Sequence, residues 1–219
     1  MGKTSPGRSH FAPPAGRLEA TLTDWGGNRL VHRVHPAAYD ADVFNPSDAG
    51  DARFSPIRRA DGSIIPTLYA GENQDCALME TVFHDGPYAP GFKPMLKLKF
   101  ENKLHSEIII EPPLKLIDLK SIALRKLGIE RKYLIDSLKT HYPESRQWAL
   151  LLYDQNPDAQ GLLWTSRQHD GAEAIMLFED RVPAGALKPQ GPSQSLIVGG
   201  YLIPPVIALA DRIGVTIVS

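Results

Sequence analysis

The sequence predicts an α+β domain, mainly antiparallel sheets with flanking helices, and three observations carry that prediction. Short alternating or apolar runs, LVHRV at 30–34, IIPTLY at 64–69, EIII at 107–110 and AIMLF at 174–178, read as strands. Between residues 121 and 154 the apolar spacing changes to that of helices. The strands expected between residues 95 and 119 follow one another closely, which favours antiparallel pairing.

Composition bounds what such a domain does. With 42% hydrophobic residues in 219, the chain has enough apolar material for a proper core. A formal net charge of -1 argues against a general polyanion binder, so direct nucleic-acid contact is not expected. Cys76 stands alone, which excludes an internal disulfide framework or a cysteine zinc cluster and points to a reducing, cytoplasmic setting. No apolar run approaches the roughly 18 residues needed to span a bilayer, so no membrane partner is expected.

Residues 1–28 read as an N-terminal arm, partly flexible, and 29–219 as the domain. The opening, MGKTSPGRSHFAPPAGR, lacks the apolar region of a signal peptide. A short helix is expected from Leu18 to Trp25, docking on the body or on a partner. Leu30 to Val34 alternates like a half-buried strand, ended by Pro36, and 36–52 reads as a loop. Ile64 to Tyr69 is a strand whose Pro66 argues for an edge position, because proline cannot donate to a ladder. After Ala70-Gly71, Asn73 caps a helix with Ala77, Leu78, Thr81 and Val82 at helical spacing. Glu80 lies at the border of that apolar stripe.

Met95 to Phe100 alternates strictly and is expected as a strand, followed by strands at Glu107 to Ile110 and Leu116 to Leu119. Ser121 to Leu127 forms a helix stopped by Gly128, and Arg131 to Leu138 a second. Glu144 to Asp154 forms a third, with Trp148, Leu151 and Leu152 on one face. Strands follow at Gly161 to Ser166 and Ala174 to Phe178. Lys188 to Ser195 is a loop, Ile207 to Ile213 a short helix, and Val215 to Val218 the last strand.

Several chemistries are absent from the pattern. There is no glycine-rich phosphate loop, no G-x-S-x-G elbow, and no metal-ligand spacing among the seven histidines. Composition and periodicity alone lead to an α+β domain and nothing sharper.

A resemblance adds more. GDARFSP at 50–56, PTLYAGE at 66–72 and CALMETVFH at 76–84, preceded by LVHRV and followed by LLWTSR at 162–167, resemble the RES-domain family, named for an arginine, a glutamate and a serine. The order and spacing agree over about residues 30 to 180. The family's first-strand arginine falls on Arg33, its turn arginine on Arg53, its strand tyrosine on Tyr69, its acid on Glu80 and its serine on Ser166. Phe54 stands where the family often has tryptophan, and Asp51-Ala52 replaces the glycine before the arginine.

The resemblance implies a fold similar to ADP-ribosyltransferases and diphtheria-like toxins, with NAD as substrate and no metal. It implies a toxin of a toxin–antitoxin pair, neutralised by an Xre-type helix-turn-helix partner that supplies the DNA contact. NAD would be consumed by hydrolysis or phosphorolysis of its nicotinamide–ribose bond. One alternative is transfer of ADP-ribose to a protein; another is a catalytically silent module that only binds the antitoxin. On this reading Glu80, Arg53 and Ser166 are catalytic. Arg33, Arg53, Tyr69 and Ser166 contact NAD: the arginines fork onto the pyrophosphate, Tyr69 stacks on nicotinamide, and Ser166 holds the carboxamide or an attacking group. His84, one helical turn beyond Glu80, is a supporting partner.

Each residue also has a structural reading. Arg33 suits a salt-bridged surface, Tyr69 a core, Glu80 a lysine pair and Ser166 a turn cap. Self-association through the arm or the apolar C-terminal region is a further expectation.

Overall fold

The computed structural model of the chain describes residues 11–86, 88 and 90–219. The opening of the arm, residues 1–10, lies outside the described residues. Strands β1 (Leu22–Gly26) and β2 (Arg29–Pro36) come first, then the two-residue strands β3 (Ile57–Arg58) and β4 (Ile64–Ile65), which pair with each other. Strand β5 (Thr67–Gly71) runs into α1 (Gln74–Thr81). Next come β6 (Pro94–Leu96), a 3-10 turn at Lys97–Phe100, β7 (Lys103–Ile110) and β8 (Pro113–Asp118). Three helices follow, α2 (Ser121–Leu127), α3 (Arg131–Leu134) and α4 (Tyr142–Gln155), with a 3-10 turn at Lys139–His141 between the last two. Then come β9 (Gly161–Thr165), β10 (Glu173–Phe178), β11 (Leu187–Pro189), β12 (Gln194–Ser195), β13 (Ile197–Val198) and β14 (Tyr201–Leu202). Helix α5 (Pro204–Arg212) and β15 (Thr216–Val218) close the chain.

A nine-stranded sheet organises these elements in the order β1-β8-β9-β10-β5-β2-β7-β11, with β12 also on β7. Every pairing in it is antiparallel except β8 with β9, whose crossover is made by α2 to α4. The α+β, mainly antiparallel expectation is therefore met. On one face Trp164, Met176 and Phe178 pack with Phe54, Leu124, Leu134, Trp148 and Leu152. On the other, Val31, Leu68, Ile108, Leu163 and Ile175 pack with Trp25 and Phe44. A third cluster gathers α1, α5, Val34 and Phe100. Among the described residues no helix is long and apolar enough to cross a membrane.

Several local expectations are corrected. The stretch expected as a helix from Leu18 to Trp25 instead supplies β1, because the free edge of β8 pairs Leu22 through Gly26 residue for residue. The arm boundary at residue 28 thus falls after a strand of the sheet. Pro66 does not mark an edge strand: β5 lies inside the sheet, between β10 and β2. Pro66 stands in the break between β4 and β5, where a missing N–H costs no ladder bond, and its carbonyl accepts from Glu179 N at 3.0 Å.

The strand expected from Met95 to Phe100 shrinks to β6 and gives way to the 3-10 turn. Its alternation has no buried face behind it, since Leu96 and Leu98 are 54% and 69% exposed while Met95 and Phe100 are buried. Strands β7 and β8 follow in sequence yet do not pair; β7 takes β2, and β8 takes β1 and β9. The helix expected over Arg131 to Leu138 ends at Leu134. The Lys188 to Ser195 loop carries β11 and β12. Gly128 does stop α2, in the left-handed conformation at φ 73°.

Candidate active site

The β5–α1 junction sets the position of Glu80. Asn73 caps α1 by accepting from Cys76 N at 2.8 Å, as its residue type predicts. Gly71 permits the helix to start hard against the strand: a Cβ there would lie 2.8 Å from Ala77 N and 3.0 Å from Cys76 Sγ. Cys76 and Glu80 are one turn apart and share a helix face. Burial, chiefly, and the nearby Glu80 charge push the Cys76 thiol up to about 12, so it stays neutral and is no nucleophile.

Ser166 meets Glu80 from the sheet. Just past the end of β9 its hydroxyl donates to Glu80 Oε1 at 2.6 Å, and Ser166 Oγ accepts from the N–H groups of Gln168 and His169, each at 3.0 Å. Ser166 is thus a turn cap and a carboxylate partner at once. It is 0% exposed and its one proton is spent on Glu80. In this geometry the hydroxyl orients the acid.

Arg53 is 9% exposed and held by a bracket formed by α3 and the turn after it. Nη1 donates to Leu134 O at 3.2 Å, Ser137 O at 3.1 Å and Ser137 Oγ at 2.8 Å. Nη2 approaches Tyr142 OH at 3.5 Å, and the guanidinium carbon lies 4.9 Å from the Tyr142 ring centroid. Tyr69 fixes the other side of this turn, its hydroxyl accepting from Phe54 N at 3.2 Å while its ring meets Trp164 edge-on. Burial raises the Tyr69 phenol to about 12 and keeps it protonated.

Arg167 is the residue that sequence reading passed over. Its Nη1 donates to Asp136 O and Ser137 O, both at 2.9 Å, so Ser137 O serves both arginines. Burial lowers the Arg53 pKa most; Tyr142 and Glu80 oppose that, and the Arg167 charge adds to it. Arg53 thus feels both the Glu80 carboxylate and a second guanidinium. Arg167 stood beside Ser166 in LLWTSR, but only the folded bracket shows that its charge joins Arg53. A cleft of about 350 Å³ opens here between Tyr88, Arg131, Asp136, Arg167 and Asp170. A larger hollow of about 520 Å³ involves exposed Asp24 and Lys115 at the other end of β9 and gathers no such group.

Arg33 does not join them. Directly opposed residues of an antiparallel pair share a face, and His32 opposes Gly71, so alternation puts Arg33 and Tyr69 on opposite faces. Arg33 is 4% exposed and donates to Ala41 O at 2.5 Å and more weakly to Asp40 O. Burial lowers it to about 10. It tethers the 36–52 loop, which corrects its reading as a surface residue, and it lies on the face away from Tyr69. His84 turns its ring to its own helix end and not to Glu80, meeting Thr81 O at 2.7 Å and Asp85 at 2.9 Å. Its carbonyl accepts from Gln168 Nε2, which links it to the turn of Ser166. Among the described residues no cluster of three His, Cys, Asp or Glu side chains is placed to hold a metal ion.

The arrangement offers a hydroxyl-oriented carboxylate whose charge reaches Arg53, and a second guanidinium, Arg167, that lines the cleft. A model of the RES domain matches residues 30–198, and the chain belongs to that family. The fold is shared with a chain from the crystal structure of the M. tuberculosis MbcT–MbcA toxin–antitoxin complex, at a TM-score of 0.57 and 14% identity, covering 88% of this chain and 92% of that one. No curated protein matches the sequence.

Proposed function

We propose that this RES-domain protein is the toxin of a toxin–antitoxin pair and cleaves the nicotinamide–ribose bond of NAD. Family membership and the fold shared with a chain of a toxin–antitoxin complex support the toxin assignment. The chemistry is supported by one observation above the rest: Glu80, oriented by Ser166 at 2.6 Å, next to the Arg53–Arg167 pair. Nicotinamide already leaves as a neutral molecule, so the protein has to steady the oxocarbenium-like ribose and hold the dinucleotide. Glu80 supplies negative charge and accepts from a ribose hydroxyl, as carboxylates do in glycoside cleavage. Arg167 takes the diphosphate role for which Arg33 is on the wrong face, and Arg53 supports it. Tyr69 borders the nicotinamide position. An Xre-type antitoxin is the proposed partner.

The test is NAD turnover by the purified chain with and without inorganic phosphate, followed by product chromatography. Nicotinamide release by the wild type and its loss in Glu80→Gln are expected. Water as acceptor leaves ADP-ribose, and phosphate leaves ADP-ribose 1″-phosphate. No release under either condition overturns the NAD-consuming reading, and label retained on protein selects the transferase instead.

A further inference from the structure

We infer that the segment from Phe11 to Leu18, which precedes the residues matched by the family model, is a strap that positions the Arg53–Arg167 pair, with Phe11 as its positioning residue. The inference rests on reading the cleft lined by Arg167 as the dinucleotide site.

The strap follows α4. Leu18 is buried, its N–H donates to Gln155 Oε1 at 2.6 Å, and Gln155 Nε2 donates to Gly16 O at 2.9 Å. Seven residues earlier, the Phe11 carbonyl accepts from Trp148 Nε1 at 2.8 Å. From the end of α4 to its middle, the chain is thus tied by main-chain groups. At that point the Phe11 ring lies flat on His141, centroids 3.5 Å apart and planes at 3°, and stands edge-on to Tyr133 at 5.0 Å.

Those two rings border the bracket. Tyr133 precedes Leu134, whose carbonyl holds Arg53, and His141 precedes Tyr142, whose ring and hydroxyl meet the same guanidinium. Between them Ser137 holds both arginines. This stretch is a four-residue helix and a three-residue 3-10 turn, and segments with so little regular structure open locally at low cost. An aromatic contact spanning both ends restrains it. Guanidiniums bind the diphosphate alike before and during bond cleavage, so loosening them raises KM and leaves kcat nearly unchanged.

The test compares full-length wild type, Phe11→Ala and Phe11→Tyr, reading NAD kinetics together with hydrogen exchange over residues 131–142. In Phe11→Ala, KM should rise by up to about tenfold, the ceiling of one aromatic contact, with faster exchange confined to the bracket. Phe11→Tyr should restore both. A fall in kcat at constant KM signals only a smaller folded fraction and overturns the strap, as does unchanged exchange. If the wild type releases no nicotinamide, the NAD reading fails by itself. Exchange then decides alone: acceleration confined to 131–142 supports the strap, and none overturns it.

Discussion

Two arginines are buried on opposite sides of the same sheet, and they do different work. Arg33 comes from a strand and Arg53 from a turn, yet both donate to main-chain carbonyls and burial lowers the pKa of both. Arg33 faces only main-chain oxygens and the distant help of Asp42; Arg53 shares its bracket with a second arginine and feels the Glu80 carboxylate. A buried cation is therefore no mark of a site by itself. What separates the two is an acid, oriented by a hydroxyl, and a second arginine that lines a cleft, both acting on Arg53.

The sharpest way to test that distinction is at the acid. Glu80→Gln keeps an acceptor for the Ser166 hydroxyl and removes the charge, so nicotinamide release should drop on the order of a hundredfold to a thousandfold in kcat while the urea midpoint holds. A full-rate Glu80→Gln enzyme would break the assignment. Next in size is the arginine pair. Arg167→Met should raise KM for NAD about tenfold or more, the scale of one hydrogen bond to a charged group, and Arg33→Met should leave KM alone. Equal KM effects in the two variants would erase the contrast between the faces.

Arg33→Met should act on stability instead. It leaves the Ala41 carbonyl without its donor, at a cost of about 1–3 kcal/mol, measured as a lower urea midpoint with unchanged KM.

The smallest effect at neutral pH concerns His32 and His105, which the strand register puts on the face opposite Arg33. His105 accepts or donates to His32 at 3.0 Å, and burial lowers it to about 4, with the His32 charge adding to the shift and Glu107 opposing it. His32 and His35 are lowered too, first by burial. The unfolded chain therefore binds protons that the folded one refuses. Stability is complete above about pH 6.5, the unfolded value, and falls as pH drops through about 4. Urea midpoints across that window should decline in the wild type and decline less in His105→Phe. An equal decline in the variant would assign the acid sensitivity elsewhere.

Much of this was legible beforehand where the signal is local. Asn73 as a cap, Gly128 as a stop and Glu80 at the border of an apolar stripe depend on spacing within one turn or one helix, and the structure has them so. The arm helix, the Met95 to Phe100 strand and the edge position of β5 were misread for a common reason. Each depends on which strand is available to pair, and β1 formed because β8 offered an edge while Lys97 to Phe100 found none. Arg167 was hidden in plain view, because its value comes from Ser137, thirty residues earlier, serving two guanidiniums.

The sequence by itself determined the α+β class, the resemblance to the RES domain, and the acid, serine and turn arginine that now lie together. Those follow from residue types at short spacing, which carry hydrogen-bonding and periodic information directly. Tertiary structure alone decided that Arg33 lies on the face away from Tyr69, that Ser166 bonds Glu80, and that Arg167 shares the Ser137 carbonyl with Arg53. Strand register sets the face of every side chain, and a shift by one residue would turn Arg33 over to the side of Tyr69. Register is settled by contacts far apart in the chain, and no local pattern contains it.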